Sequence, residues 1–353
     1  AVVGSQYATD TQQDLMLVTF SSTLAFVSDT SFGGANSAYN NVANDLQQTA
    51  DGGYILVGTT YHADSLDSDV WIVKYSSKLA VTWQDTIDGG NNDVGQSVHQ
   101  TQDGGYIVCG TSNDGNDDDI MLWKIAADGL SHSILYSETT NTNDVGNYAH
   151  QTRNGGYIVV GTSYSTTNAT DIRLIKLNSS GDTTVVNGGG FDSTYNVIDG
   201  YLNDEAVFVQ EIDDGMGFAV VGNYWASGYG QNNVFVLKTD YQGTEVNTAT
   251  FGGGFNDFGN CVRQTEDGGF IIVGSKLSQA TTNEDVWILK LTHDLSTEWD
   301  YTYGGSADDI GTSVNQTTDG GYIITGNTYS YGNESEILLL KIDGSGAIQD
   351  FSN

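Results

Sequence analysis

The chain has 353 residues, with 45 acidic side chains against 11 basic ones and a net charge of −34. A surface this acidic cannot replace the counterions of nucleic acid or anionic lipid, so neither is expected as a partner. No apolar run approaches the roughly 18 to 20 residues needed for a membrane-spanning helix, so no membrane insertion is expected.

Read in order, the chain is a series of near-copies. It opens on Ala1 without a charged-then-apolar leader, so any secretion signal is expected to have been removed or left out. The first unit, about 1–36, starts with a strand fragment ending at Gly4, followed by DLMLVTF (14–20). The second, 41–90, is whole: a first strand, an Asp51-Gly-Gly turn, a strand closed by Gly58, a third strand ending at Lys74, and a fourth strand running to Gly90. Units at 93–140, 144–190, 203–254, 257–305 and 309–353 repeat this plan, with an insertion at 185–205. The Asp-Gly-Gly steps supply the positive-φ positions of tight hairpins.

Glycines closing the second strand lie at 4, 58, 110, 161, 222, 274 and 326. They are 51 to 54 residues apart except where the insertion stretches one interval to 61. Four short strands per unit of that length, with no sustained helical period, predict an all-β fold: a single domain over 1–353 built as a seven-bladed β-propeller of four-stranded antiparallel blades. The first blade lacks its own innermost strand. Either the chain is part of a longer protein, or a neighbouring subunit fills the gap by strand addition.

The recurring SVxQTxDGGYIVVGT, DVWIVK and W-x-x-T/Y-x-GG segments resemble the repeats of secreted bacterial and archaeal β-propeller proteins. The resemblance implies the fold and leaves the activity open.

Six units end their third strand in lysine: Lys74, Lys124, Lys176, Lys238, Lys290 and Lys341. An acid opens most innermost strands, at Asp93, Asp144, Asp204, Asp257 and Asp309, and a structural Lys–Asp contact between the two sets is predicted. A polar position on the innermost strand varies through Gln47, His99, His150, Gln210, Arg263 and Asn315, which makes it a candidate ligand-facing ring. Trp225, in a YWASGYG stretch, is a candidate contact site. Asp114, Asp117, Asp118 and Asp119 form an acidic loop that could hold Ca²⁺, although it lacks the regular D-x-D-x-D-G spacing; no other cofactor is expected. Sequons start at Asn168, Asn178, Asn315 and Asn333. Cys109 and Cys261 lie in well-separated units and read as buried fillers.

No nucleophile elbow, zinc-protease helix or phosphate loop occurs. The leading expectation is therefore a non-catalytic extracellular scaffold or adhesion module with protein partners, self-association included. The alternative is a secreted propeller that binds or cleaves carbohydrate.

Overall fold

The computed structural model describes residues 1–9, 12–21, 24–32, 40–61, 67–113, 115–137, 142–164, 170–183, 191–195, 203–213, 215–226, 231–277, 283–330 and 335–349. The chain divides into two compact units, 1–164 with 175–190, and 165–174 with 191–353.

Seven antiparallel sheets follow one another along the chain, and no helix occurs among the described residues. The protein is an all-β, seven-bladed β-propeller. In the third blade the strands are Asp93–Gln100, Tyr106–Asn113, Asp118–Ile125 and His132–Ser137, paired in chain order. The first blade has three strands, Val2–Thr9, Gln12–Phe20 and Phe26–Phe32, so its innermost strand is missing as expected. In the seventh blade the fourth strand is represented, among the described residues, by one bridge, Ile342 to Ile348.

The third strand of the second blade, Ser68–Tyr75, is buried throughout, whereas that of the seventh, Glu336–Ile342, is mostly half-buried. Apolar residues fill the space between successive sheets. Ile72 and Val57 of the second blade meet Val98, Val108 and Trp123 of the third. Cys109 and Leu122 of the third meet Ala149, Val159 and Ile175 of the fourth. Both cysteines are buried and free, and burial pushes the Cys109 thiol up.

A bulge sits near the start of each described innermost strand, for example between Gly95 and Ser97, and between Gly259 and Cys261. It explains the repeating glycine of the second strand. A Cβ on Gly110 would lie 1.9 Å from the Val94 carbonyl oxygen, and one on Gly274 1.8 Å from that of Phe258. The bulged backbone passes too close for any side chain.

Candidate functional site: the two ends of the blades

At one end of the blade lies the Thr-x-Asp-Gly-Gly turn. Asp51 accepts hydrogen bonds from the Thr49 hydroxyl (2.6 Å) and the Gly53 N–H (2.9 Å), an Asx-type turn closed by Thr49 N–H to Gly53 O. Into it reaches the lysine that ends the third strand. Lys74 pairs with Asp51 at 3.0 Å, Lys124 with Asp103 at 2.8 Å, Lys290 with Asp267 at 2.9 Å and Lys341 with Asp319 at 3.0 Å. The ammonium groups of Lys74, Lys290 and Lys341 also donate to the carbonyl of the next residue.

Hydrogen bonds from Lys124 and Thr101 hold the Asp103 carboxyl at about 2. At Asp267 burial pushes the other way but is outweighed by Thr265, Lys290 and Gly269, which also leave it at about 2. Lys238, whose turn has a different sequence, donates instead to the His293 carbonyl at 2.8 Å. Lys176 is buried.

The lysines therefore take a different partner from the one the sequence predicted. Strand register gives the reason. Lys124 lies opposite Ile107, near the hairpin turn, whereas Asp93 lies opposite Ser112 at the far end of the same sheet. At about 3.3 Å per residue the two ends are roughly 20 Å apart.

The innermost-strand polar residues do not act as one set. The Gln47 Oε1 accepts the Gln100 N–H, and the Gln210 Oε1 accepts the Gln264 N–H at 2.8 Å, so both glutamines tie one innermost strand to the next. The Nε2 of His99 bonds Tyr148 Oη at 2.5 Å, and the His99 and His150 rings lie 6.1 Å apart. The Arg263 guanidinium sits 4.4 Å over the Phe208 ring. Asn315 is exposed. Tyr148 was not anticipated as a partner; the equivalent positions of the other blades hold Asp45, Ser97, Phe208, Cys261 and Ser313, so no repeat marks it.

The other end of the blade carries the acids that open the innermost strands. Asp93, Asp144, Asp204, Asp257 and Asp309 are all buried. The Oδ2 of Asp93, Asp257 and Asp309 accepts a loop N–H from Gly89, Gly253 and Gly305 respectively. Five residues before each blade's lysine stands a second polar position, occupied by Asp69, Asp119, Asp171, Asn233, Asp285 and Glu336. This spacing is visible in the sequence, and it brings Asp69 of the second blade to Asp93 of the third. It likewise places Asp285 where Asp309 acts on it electrostatically.

At the same end of the fifth blade lies a cavity of about 420 Å³, lined by Tyr224, Asn233, Thr250, Phe251 and Gly252 to Gly254 of the loop leaving that blade. The equivalents of Asp69 and Asp88 are here Asn233 and Gly252. A Cβ on Gly252 would lie 2.2 Å from Asn233 Oδ1 and 2.7 Å from Asp257 Oδ2, while Gly253 and Gly254 face open space. The Asn233 Oδ1 is buried and has no hydrogen-bond partner. Trp225 is 38% exposed, but it is not among the lining residues; it follows Tyr224 in the strand and so points to the opposite face.

In the acidic loop, Asp118 accepts a bond from Asn113 Nδ2 at 2.7 Å, and Asp119 is buried at its junction position. Among the described residues the carboxylates that converge are Asp69, Asp88 and Asp93, not Asp117 to Asp119; Asp114 lies outside the described residues. Of the sequons, the Asn178 side chain is engaged with Asp182 and the Ser180 N–H, Asn315 is exposed, and Asn168 and Asn333 lie outside the described residues. Of the 185–205 insertion only 191–195 and 203–205 are described, and there Arg173 makes a two-pronged ion pair with Asp192.

No family model and no curated protein matches the chain. Solved structures do. The periplasmic gluconolactonase of Pseudomonas aeruginosa superposes with a TM-score of 0.58 at 9% identity, over 99% of this chain and 95% of that one. Puromycin hydrolase gives 0.59 at 12% identity, over 99% of this chain, which spans 51% of the hydrolase. A PL25 ulvan lyase gives 0.56 at 11% identity, over 85% and 80%. Likeness at these identities establishes the propeller fold alone.

Proposed function

We propose that the protein is a secreted propeller that binds a neutral saccharide in the cavity at the end of its fifth blade. The observation that carries this reading is Asn233. Its buried Oδ1 lacks a donor at a cavity lined by Tyr224 and Phe251. A sugar hydroxyl supplies the missing donor while the apolar face of its ring lies on an aromatic side chain. Thr250 and the unsubstituted backbone of Gly252 to Gly254 complete a lining of small polar groups.

Neutral rather than acidic saccharides follow from the net charge of −34, which repels polyanions. Binding rather than cleavage is proposed because no carboxylate lines the cavity, whereas glycoside hydrolysis ordinarily uses two. Among the structural neighbours, the gluconolactonase and the polysaccharide lyase have saccharide-related names, but the lyase's bound saccharide is acidic, so the neutral class rests on the charge argument alone.

The test is a glycan array of neutral and acidic oligosaccharides followed by calorimetry on any hit. Binding of a neutral glycan that Tyr224→Ala weakens by about tenfold or more supports the proposal. No bound glycan, or a glycan held equally well by Tyr224→Ala, overturns it.

A further inference from the structure

The junction between the second and third blades differs from the cavity junction in its charge. Asp69 opens the third strand of the second blade, Asp88 lies in the loop leaving that blade, and Asp93 opens the third blade. One carboxylate oxygen from each lies within 4.8 Å of the other two. Oxygens bound at about 2.4 Å to one Ca²⁺ are at most about 4.8 Å apart, so all three reach a single ion with little movement.

The unmatched acceptor that recurs at Asp257 and Asp309 coincides at Asp93 with two further carboxylates. Asp93 is completely buried and takes hydrogen bonds from the Gly89 N–H and Ser112, yet its Oδ1 has no partner. An unmatched carboxylate oxygen in the interior requires a proton or a cation. At the fifth-to-sixth junction the residue opposite the buried acid is Lys276, whose positive charge acts on Asp257. In the third blade that position is Ser112, which brings no charge.

We infer that Asp69, Asp88 and Asp93 bind a calcium ion that clamps the second blade to the third. Three hard carboxylate oxygens on a strand start, a loop and the next strand start suit the flexible geometry of Ca²⁺ better than the strict octahedron of Mg²⁺, and water fills the remaining positions. The ion replaces the missing donor at Asp93 and offsets three like charges between two blades.

Titration of chelator-treated protein with CaCl₂ by calorimetry, with thermal melting in CaCl₂ or in EDTA, tests the site at neutral pH. Expected are saturable binding and a melting temperature about 5 °C higher in calcium. Asp88 is exposed, so Asp88→Asn folds; it weakens Ca²⁺ binding by about tenfold or more and shrinks the melting shift, whereas Asp117→Asn leaves both unchanged. Absence of binding up to about 10 mM Ca²⁺, beyond the range of extracellular calcium modules, overturns the inference. So does an Asp88→Asn protein that binds as tightly as the parent, because the ion then sits elsewhere. The glycan reading stands or falls separately, since this site shares no residue with the cavity.

Discussion

The third, sixth and seventh blades use carboxylates at both ends, and the two sets behave in opposite ways. At the turn end, Asp103 and Asp267 are largely exposed, are met by a lysine, a threonine and a backbone N–H, and titrate at about 2. At the junction end, Asp93, Asp257 and Asp309 are buried, each accepts a glycine N–H, and each keeps one oxygen without a partner. The turn carboxylate completes its blade with charges supplied locally. The junction carboxylate faces the neighbouring blade, so its environment depends on what that neighbour brings, and this is where the blades diverge. A third acid at Asp88 makes one junction a cation trap; another, with asparagine at 233 where the sixth blade has Asp285, carries the cavity.

The largest expected effect comes from closing that cavity. Gly252 has φ +138°, and a Cβ there meets Asn233 Oδ1 and Asp257 Oδ2 well inside contact distance. Gly252→Ala should destabilise the protein by about 3 kcal/mol in urea unfolding and abolish glycan binding. If the variant binds the same glycan as tightly as the parent, the cavity is not the site.

The turn end should give the next effect. Asp267→Ala leaves the Lys290 ammonium, 2% exposed, with Glu298 and the Leu291 carbonyl as its remaining partners and removes the acceptor for the Gly269 N–H. Loss of one partner of a fully buried pair costs about 3 to 5 kcal/mol. Because Asp267 is 57% exposed, about 2 kcal/mol is expected. Lys290→Met, which removes the buried charge itself, should cost less than half as much. Equal losses would mean that the exposed aspartate, not the buried lysine, carries the interaction.

Acid titration separates the two ends by sign. The turn aspartates have lowered folded-state values, about 2 against an ordinary 3.8, so their contribution is present above pH 3.8 and is lost as the pH falls toward 2. Asp257 and Asp285 are raised, in both cases mainly by burial. A raised acid binds its proton more tightly in the folded state, so its contribution is lost as the pH climbs above 3.8. In EDTA the urea midpoint should therefore climb from pH 2 to about 4 and then decline. A monotonic rise through neutrality would show that the junction acids are solvated.

The fold was legible because strand hairpins announce themselves: Asp-Gly-Gly turns, β-branched runs and a glycine forced by each bulge recur at nearly constant spacing. The identity of the lysine's partner was not, because the sequence pairs residues by recurrence and two sets of acids recur equally well. Choosing between them requires register. The innermost strand puts its first residue opposite Ser112 and its last opposite Tyr106, which leaves the lysine at the turn end. The cavity was obscured for a related reason. Its signal is a departure from the repeat, asparagine at 233 where five other blades carry an acid, and a reading that follows the repeat passes over the places where it breaks.

Trp225 gives the smallest expected effect and the sharpest check on which face matters. As an exposed tryptophan beside a tyrosine it is the most conspicuous sugar-stacking candidate in the sequence, yet strand alternation puts it on the face opposite Tyr224. Trp225→Ala should shift the urea midpoint by less than about 0.5 kcal/mol equivalent and change glycan affinity less than about twofold. Tyr224→Ala, one residue away, should remove most of the binding. If the two variants exchange these effects, the saccharide lies on the outer surface of the fifth blade, and Asn233 at the cavity must find its donor in an ordered water.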